Sequence, residues 1–148
     1  ALCPASSCHG EADHRGMLMN DRGLFLARLF LGIPFILWGA MKLMGGAAAL
    51  VPGLAAIGLP DPLFFAYLIG LCELVGGVAI VLGYPVRTVG ILLGLWCLAT
   101  AKQAHMGNLT EILKNATMAG GFFLIAATGA GSLSLFRGTP PGPLARLR

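Results

Sequence analysis

Four long apolar runs, separated by short polar or Gly/Pro-broken connections, organise this chain. They extend over about 23–44, 62–82, 86–104 and 112–130. Each run is apolar around its whole circumference, not along one stripe or at alternate positions. Each is also close to the roughly 20 residues that carry a helix across the hydrocarbon core of a bilayer. Backbone N–H and C=O groups in lipid must be satisfied within their own segment, which predicts helices and not open strands. The predicted fold is therefore all-α: an antiparallel four-helix transmembrane bundle over 23–135. A polar head, 1–22, precedes it and is expected to be flexible; a Pro/Arg-rich tail, 136–148, follows it. Gly83-Tyr84-Pro85 is read as a tight turn. The connection from Gly45 to Asp61 is apolar but broken by Pro52 and Pro60, and is expected at the membrane interface or dipping partly into it.

Composition sharpens the class. Hydrophobic residues make up 57% of the 148, charged residues only 11%, and mean hydropathy is +0.83. A soluble domain has roughly a quarter of its residues charged, so the lipid bilayer is the principal partner. The net charge of +4 comes from residues that flank the apolar runs without clustering among aromatics, which argues against a nucleic-acid surface. Arg15, Arg22, Arg28, Arg87, Arg137, Arg146 and Arg148 fall at one end of the predicted bundle, and Lys42, Lys102 and Lys114 at the other. The excess at the arginine end places both termini in the cytoplasm and the chain in the inner (cytoplasmic) membrane. The 22 glycines suit close helix approach in lipid. Gly76 with Gly77, and Gly90 with Gly94 in a GxxxG spacing, are the candidate packing positions.

Glu73 is the most informative single residue, because it stands alone in the apolar run 62–82. A carboxylate at mid-bilayer costs about 3 kcal/mol or more unless it is paired, protonated or wet. Arg28, about one turn inside the first run, is the expected partner, with a vertical offset on the order of 8 Å. The pair reads either as a polar site for a quinone head group, an anion or a proton, or as an ion pair that pins two helices. Lys42, Lys102 and His105 form a second candidate, a basic rim at the lysine end. It could attract a small anion, or the lysines could simply snorkel to the interface.

Other patterns carry less. Cys3, Cys8, His9 and His14 match no standard zinc spacing, so no metal is assigned. Asn108-Leu-Thr110 and Asn115-Ala-Thr117 match the glycosylation triplet, which is common by chance. No nucleophile–base pattern, phosphate loop or haem-ligand pair appears. No intrinsic cofactor is assigned, and redox work would need a quinone or a partner protein to carry electrons.

Several short motifs follow one another in a defined order. Arg28-Leu-Phe-Leu-Gly32 opens the first run and Gly39-Ala-Met-Lys42 closes it. Glu73-Leu-Val-Gly76-Gly77 lies in the second, His105 follows the third, and Gly129-Ala-Gly131-Ser-Leu-Ser134-Leu135 follows the fourth. In this order they resemble the DoxX family of small four-helix membrane proteins, over about Leu24 to Leu135. Family members often carry Asp after the final Ser-Leu; here Phe136 stands there. The resemblance implies the four-helix fold. It also implies a role of the kind found in the family, which includes a subunit of thiosulfate:quinone oxidoreductase and members tied to methylamine dehydrogenase maturation and thiol redox defence. The expected function is an integral membrane subunit of a redox complex that anchors a catalytic partner, with a quinone or small-anion site. The alternative is a non-catalytic accessory or assembly protein, either within a complex or as a homo-oligomer.

Overall fold

In a computed structural model, backbone is described for residues 5–103 and 107–135, and side chains for 20–102 and 107–135. All regular structure among them is helical. Helix α1 covers Ala5–Leu43, α2 Val51–Ala56, α3 Pro62–Leu82, α4 Val86–Gln103 and α5 Leu109–Thr128, with a 3₁₀ turn at Gly46–Leu50. Two stretches, Asn20–Leu43 of α1 and the whole of α3, are long and apolar enough to cross a membrane. Helices α4 and α5 carry charge towards their ends, at Arg87 and Lys102 and at Glu111 and Lys114.

Local chemistry sets the boundaries. Asp61 caps α3, its carboxylate accepting the Phe64 N–H at 3.2 Å, and Pro62 sits at the first helical position. Gly83 ends α3 in the left-handed region at φ 85°, a conformation that favours glycine. Helix α5 begins before the predicted 112 because the Asn108 side chain accepts the Glu111 N–H at 3.3 Å and caps it. The apolar connection 45–61 folds into the 3₁₀ turn and α2, which pack on α1 and α3 and bury Ala47 completely.

Helices α1 and α3 pack most intimately, and α4 and α5 next; α3 meets α4 along a much narrower line. Glycine explains the first two contacts. A Cβ on Gly77 would lie 2.7 Å from the Gly32 carbonyl oxygen, and one on Gly39 would lie 2.6 Å from that of Gly70. Residues 32 and 39 thus oppose 77 and 70, so α1 and α3 run past each other in opposite directions with backbones nearly touching. Gly90 plays the same part between α4 and α5, 2.9 Å from the Phe122 carbonyl oxygen by the same construction, while Gly94 lies against the Phe123 ring and Gly76 against Leu93. The GxxxG face of α4 is therefore filled by α5 of the same chain. Gly32, Gly39 and Gly70, which were not among the candidate packing positions, complete the seam.

Phe35, Ile80, Val86, Leu93, Cys97, Phe122 and Ile125 form the core. Phe35 and Phe122 meet edge to face, centroids 5.1 Å apart. The outer faces are as apolar as the core: Phe30 is 79% exposed, Leu124 63% and Leu92 60%. Such a belt is costly in water and suits a hydrocarbon surround.

Candidate functional site

Glu73 is 5% exposed and faces inward from the middle of α3. Its Oε2 accepts from the Lys42 Nζ, forming an ion pair, and its Oε1 accepts the Trp96 indole N–H at 2.9 Å. One carboxylate thereby ties α1, α3 and α4 together. One turn on, the Thr100 hydroxyl donates to the Trp96 carbonyl at 2.9 Å.

The expected Arg28–Glu73 pair does not form. Arg28 lies level with Gly83, where a Cβ would approach its Cζ at 3.2 Å. From Glu73 to Gly83 the helix rises about 15 Å, nearly twice the expected offset. The glycine seam sets this register, and two side chains cannot span it. Lys42 lies beside Gly70 instead, about one turn from Glu73. Arg28, only 1% exposed, donates from Nη1 to the Ala130 carbonyl at 2.8 Å and from Nη2 to that of Leu133 at 2.9 Å. Its Nε is buried with no hydrogen-bond partner, and its Cζ lies 5.5 Å from the centroid of the Phe25 ring. Arg28 is thus a clamp on the segment after α5. The Leu135 N–H donates to the Leu82 carbonyl at 3.1 Å, and Asp21 accepts the Ser132 N–H at 3.0 Å and also its hydroxyl.

Of the expected basic rim, one member departs from its predicted place and one is not described. Lys42 turns inward, because a carboxylate lies within its reach. Lys102 is exposed, and His105 lies outside the described residues. The lysine end instead encloses a cavity of ≈ 440 Å³ whose polar wall is Lys42, Glu73, Trp96, Glu111, Lys114 and Asn115. Helix α5 supplies the last three: Lys114 pairs with Glu111, and Asn115 donates to the Glu111 carbonyl at 2.9 Å. Asn115 is 6% exposed, so its glycosylation triplet is not presented. The Lys114 ammonium stands 5.7 Å from the centroid of the Trp38 ring, which also lines the cavity. Both tryptophans of the chain therefore face it.

Sequence reasoning picked out Lys42 and Glu73 but missed Trp38, Trp96, Glu111 and Lys114 as site residues, although their helical spacing was visible. Trp38 and Lys42 are one turn apart on α1, Trp96 and Thr100 on α4, and Glu111, Lys114, Asn115 and Met118 share one face of α5. On the other side of Glu73 and Trp96, the narrow α3–α4 contact leaves an apolar groove of ≈ 610 Å³ lined by Leu68, Cys72, Val75, Gly76 and Leu92. Glu73 and Trp96 line the cavity and the groove alike. No group of three or more potential metal-ligating side chains occurs among the described residues; Cys3, Cys8, His9 and His14 are outside those whose side chains are described.

Comparisons with known proteins give the chain's relatives. The chain is 33% identical to the inner membrane protein YphA of Escherichia coli (strain K12) over 124 residues, covering 77% of this chain and 88% of YphA. It is 35% identical to the inner membrane protein YqjF of the same organism, covering 80% and 93%. It is also 35% identical over 91 residues to CatD of Bacillus subtilis (strain 168), provisionally named an oxidoreductase, covering 58% and 66%. No solved structure gives a significant match. The DoxX family model matches residues 23–106, the stretch that holds the Glu73–Lys42–Trp96 tie, and with these relatives it makes the chain a member of the DoxX family of membrane proteins.

Proposed function

We propose that the chain is an integral membrane subunit of a redox complex. In this reading it anchors a catalytic partner, and its cavity at Glu73 receives a quinone head group or a small anion. The observation that carries this reading is a carboxylate, an ammonium and an indole N–H meeting in the wall of a cavity faced by two tryptophans. The residues suit a quinone. Lys42 has N–H donors beyond the one on Glu73, flat indoles favour a flat ring, and ≈ 440 Å³ is within the usual range of small-molecule sites, roughly 300–1,000 Å³. The adjoining groove suits an apolar tail. A bound quinone supplies two-electron, two-proton chemistry. The chain's part is to orient an oxygen through Lys42, to hold the ring between the indoles of Trp38 and Trp96, and to hold or release a proton at Glu73, while a partner protein carries the electrons. The name of CatD supports this class of role.

The test is quinone content after purification in mild detergent. The parent is expected to retain quinone and a redox partner, with Glu73→Gln and Trp96→Phe losing most of the quinone and Lys102→Gln keeping it. A quinone-free parent without a partner would reject this reading. It would favour an accessory protein in which Glu73 only staples helices, a role consistent with both of its oxygens being engaged.

The same reading has α1, α3, α4 and α5 crossing the inner membrane as an antiparallel bundle with both termini cytoplasmic. Its support is the segregation of Arg22, Arg28 and Arg87 from Lys42, Lys102 and Lys114. In whole cells, a Tyr84→Cys variant is expected to resist an impermeant thiol reagent; labelling from outside would reverse the orientation.

A further inference from the structure

At the arginine end, far from Glu73, the Gly129–Ser134 finish closes over the start of α4 and leaves a second cavity of ≈ 350 Å³. Its wall includes Gly83, Val86, Arg87, Gly129, Gly131 and Ser134. The function proposed above makes no use of it. We propose that this cavity binds a phosphate-type oxyanion, with the Arg87 guanidinium, the Ser134 hydroxyl and the N–H groups of Val86 and Arg87 as donors.

Four observations converge. First, Ser134 is 8% exposed, lines the cavity, and its hydroxyl has no hydrogen-bond partner among the described residues. The hydroxyl is therefore free to donate into the cavity. Second, Val86 and Arg87 open the eighteen-residue helix α4 and line the cavity; the N–H groups of these two positions have no acceptor within the helix and lie at its positive dipole end. Third, charge favours an anion. Arg87 has no carboxylate partner among the described residues, nor has Arg28, whose buried guanidinium lies directly behind the cavity wall at Gly83. The acid near by, Asp21, is engaged by both the N–H and the hydroxyl of Ser132. Fourth, nearby acceptors are occupied: the Ala130 and Leu133 carbonyls by Arg28, and that of Leu82 by the Leu135 N–H. Gly131, at φ 72°, lets this wall pack against α1, where a side chain would crowd Asp21 and Leu24.

A guanidinium fork, a hydroxyl and backbone N–H groups offer donors in several directions, which suits the oxygens of a phosphate better than a halide or a carboxylate. The phosphate can be that of a lipid head group or a soluble one. The test uses the full chain purified in mild detergent, with inorganic phosphate against chloride at equal ionic strength, and the chain in nanodiscs of phosphatidylcholine with or without phosphatidate.

Phosphate is expected to raise the melting temperature above chloride. Arg87→Gln should weaken its apparent affinity about tenfold and Ser134→Ala by a smaller factor, while Arg22→Gln, outside the cavity lining at the same end, leaves it unchanged. Phosphatidate retained in native mass spectra of the parent but not of Arg87→Gln identifies a lipid as the source; a response to free phosphate without retained lipid identifies a soluble anion. The proposal is overturned if neither phosphate nor phosphatidate binds, or if Arg22→Gln loses as much as Arg87→Gln. Because this readout does not involve quinone or Glu73, it stands or falls apart from the redox reading.

Discussion

Arg28→Met is expected to release residues 129–135 from the end of α3 and to lower stability by about 3–5 kcal/mol. Two hydrogen bonds from a charged donor are lost, each worth roughly 1.5–3 kcal/mol, and the Ala130 and Leu133 carbonyls are left without their donor. Some of that cost is recovered because the orphaned Nε and a buried charge also disappear. Arg28→Lys keeps the charge but not the fork that reaches two carbonyls at once, and is expected to behave much like Met. Thermal melting in detergent gives the magnitude. Hydrogen exchange gives the location: amides of 129–135, Leu135 above all, should lose protection while those of the α1–α3 seam keep it. Unchanged protection in that segment, or an Arg28→Lys variant as stable as the parent, would show that Arg28 does not hold it.

The second large effect is expected at Lys42 and Glu73. Glu73→Leu leaves an ammonium and an indole N–H facing a mostly apolar interior; Lys42→Met leaves a carboxylate that is 5% exposed. Breaking a buried ion pair from one side typically costs about 3–5 kcal/mol. The lower end applies here, because the Lys42 side chain is 21% exposed and can draw in water. The double variant strands neither charge, so it should be more stable than the worse single variant, with a coupling of about 1–3 kcal/mol across the cycle. Simple addition of the two losses would show that the pair is not energetically coupled. The double variant also separates the two functional readings. If the residues handle quinone it is folded but quinone-free, and if they only staple helices its complex keeps whatever activity the parent shows.

Glu73 was legible because an acid within an apolar run has no solvent to turn to. The limits of α3 were legible because Asp61-Pro62 and Gly83 punctuate both ends. The partner of Glu73 was not legible. Which cation meets a given level of α3 depends on where α1 crosses it, and that register is set by backbone contact at Gly32, Gly39, Gly70 and Gly77. Shifting the seam by two turns would exchange Lys42 for Arg28 without changing hydropathy. The segment 129–135 was hidden for a related reason. Apart from the Asp21 carboxylate on Ser132, its hold on the rest of the chain runs through carbonyl groups, and every residue type has one. The lysine-end cavity was recoverable in part, since each helix shows its contribution at one-turn spacing, but only the packing shows that these faces converge.

The uneven helix contacts have a mechanical consequence. Helices α1 and α3 are locked by glycine backbones in contact, and α4 and α5 by Gly90 and Gly94 against the chain at Phe122 and Phe123. Between these two stiff plates lies the apolar groove, bridged by the hydrogen bond from Trp96 to Glu73. Lateral pressure from the surrounding lipid bears on a membrane protein from the side, and the narrow contacts between the plates, α3 with α4 and α1 with α5, should yield before the plates themselves. Tighter lipid packing would narrow the groove before it bent either plate, and the strain would reach the Glu73 carboxylate through its indole rung.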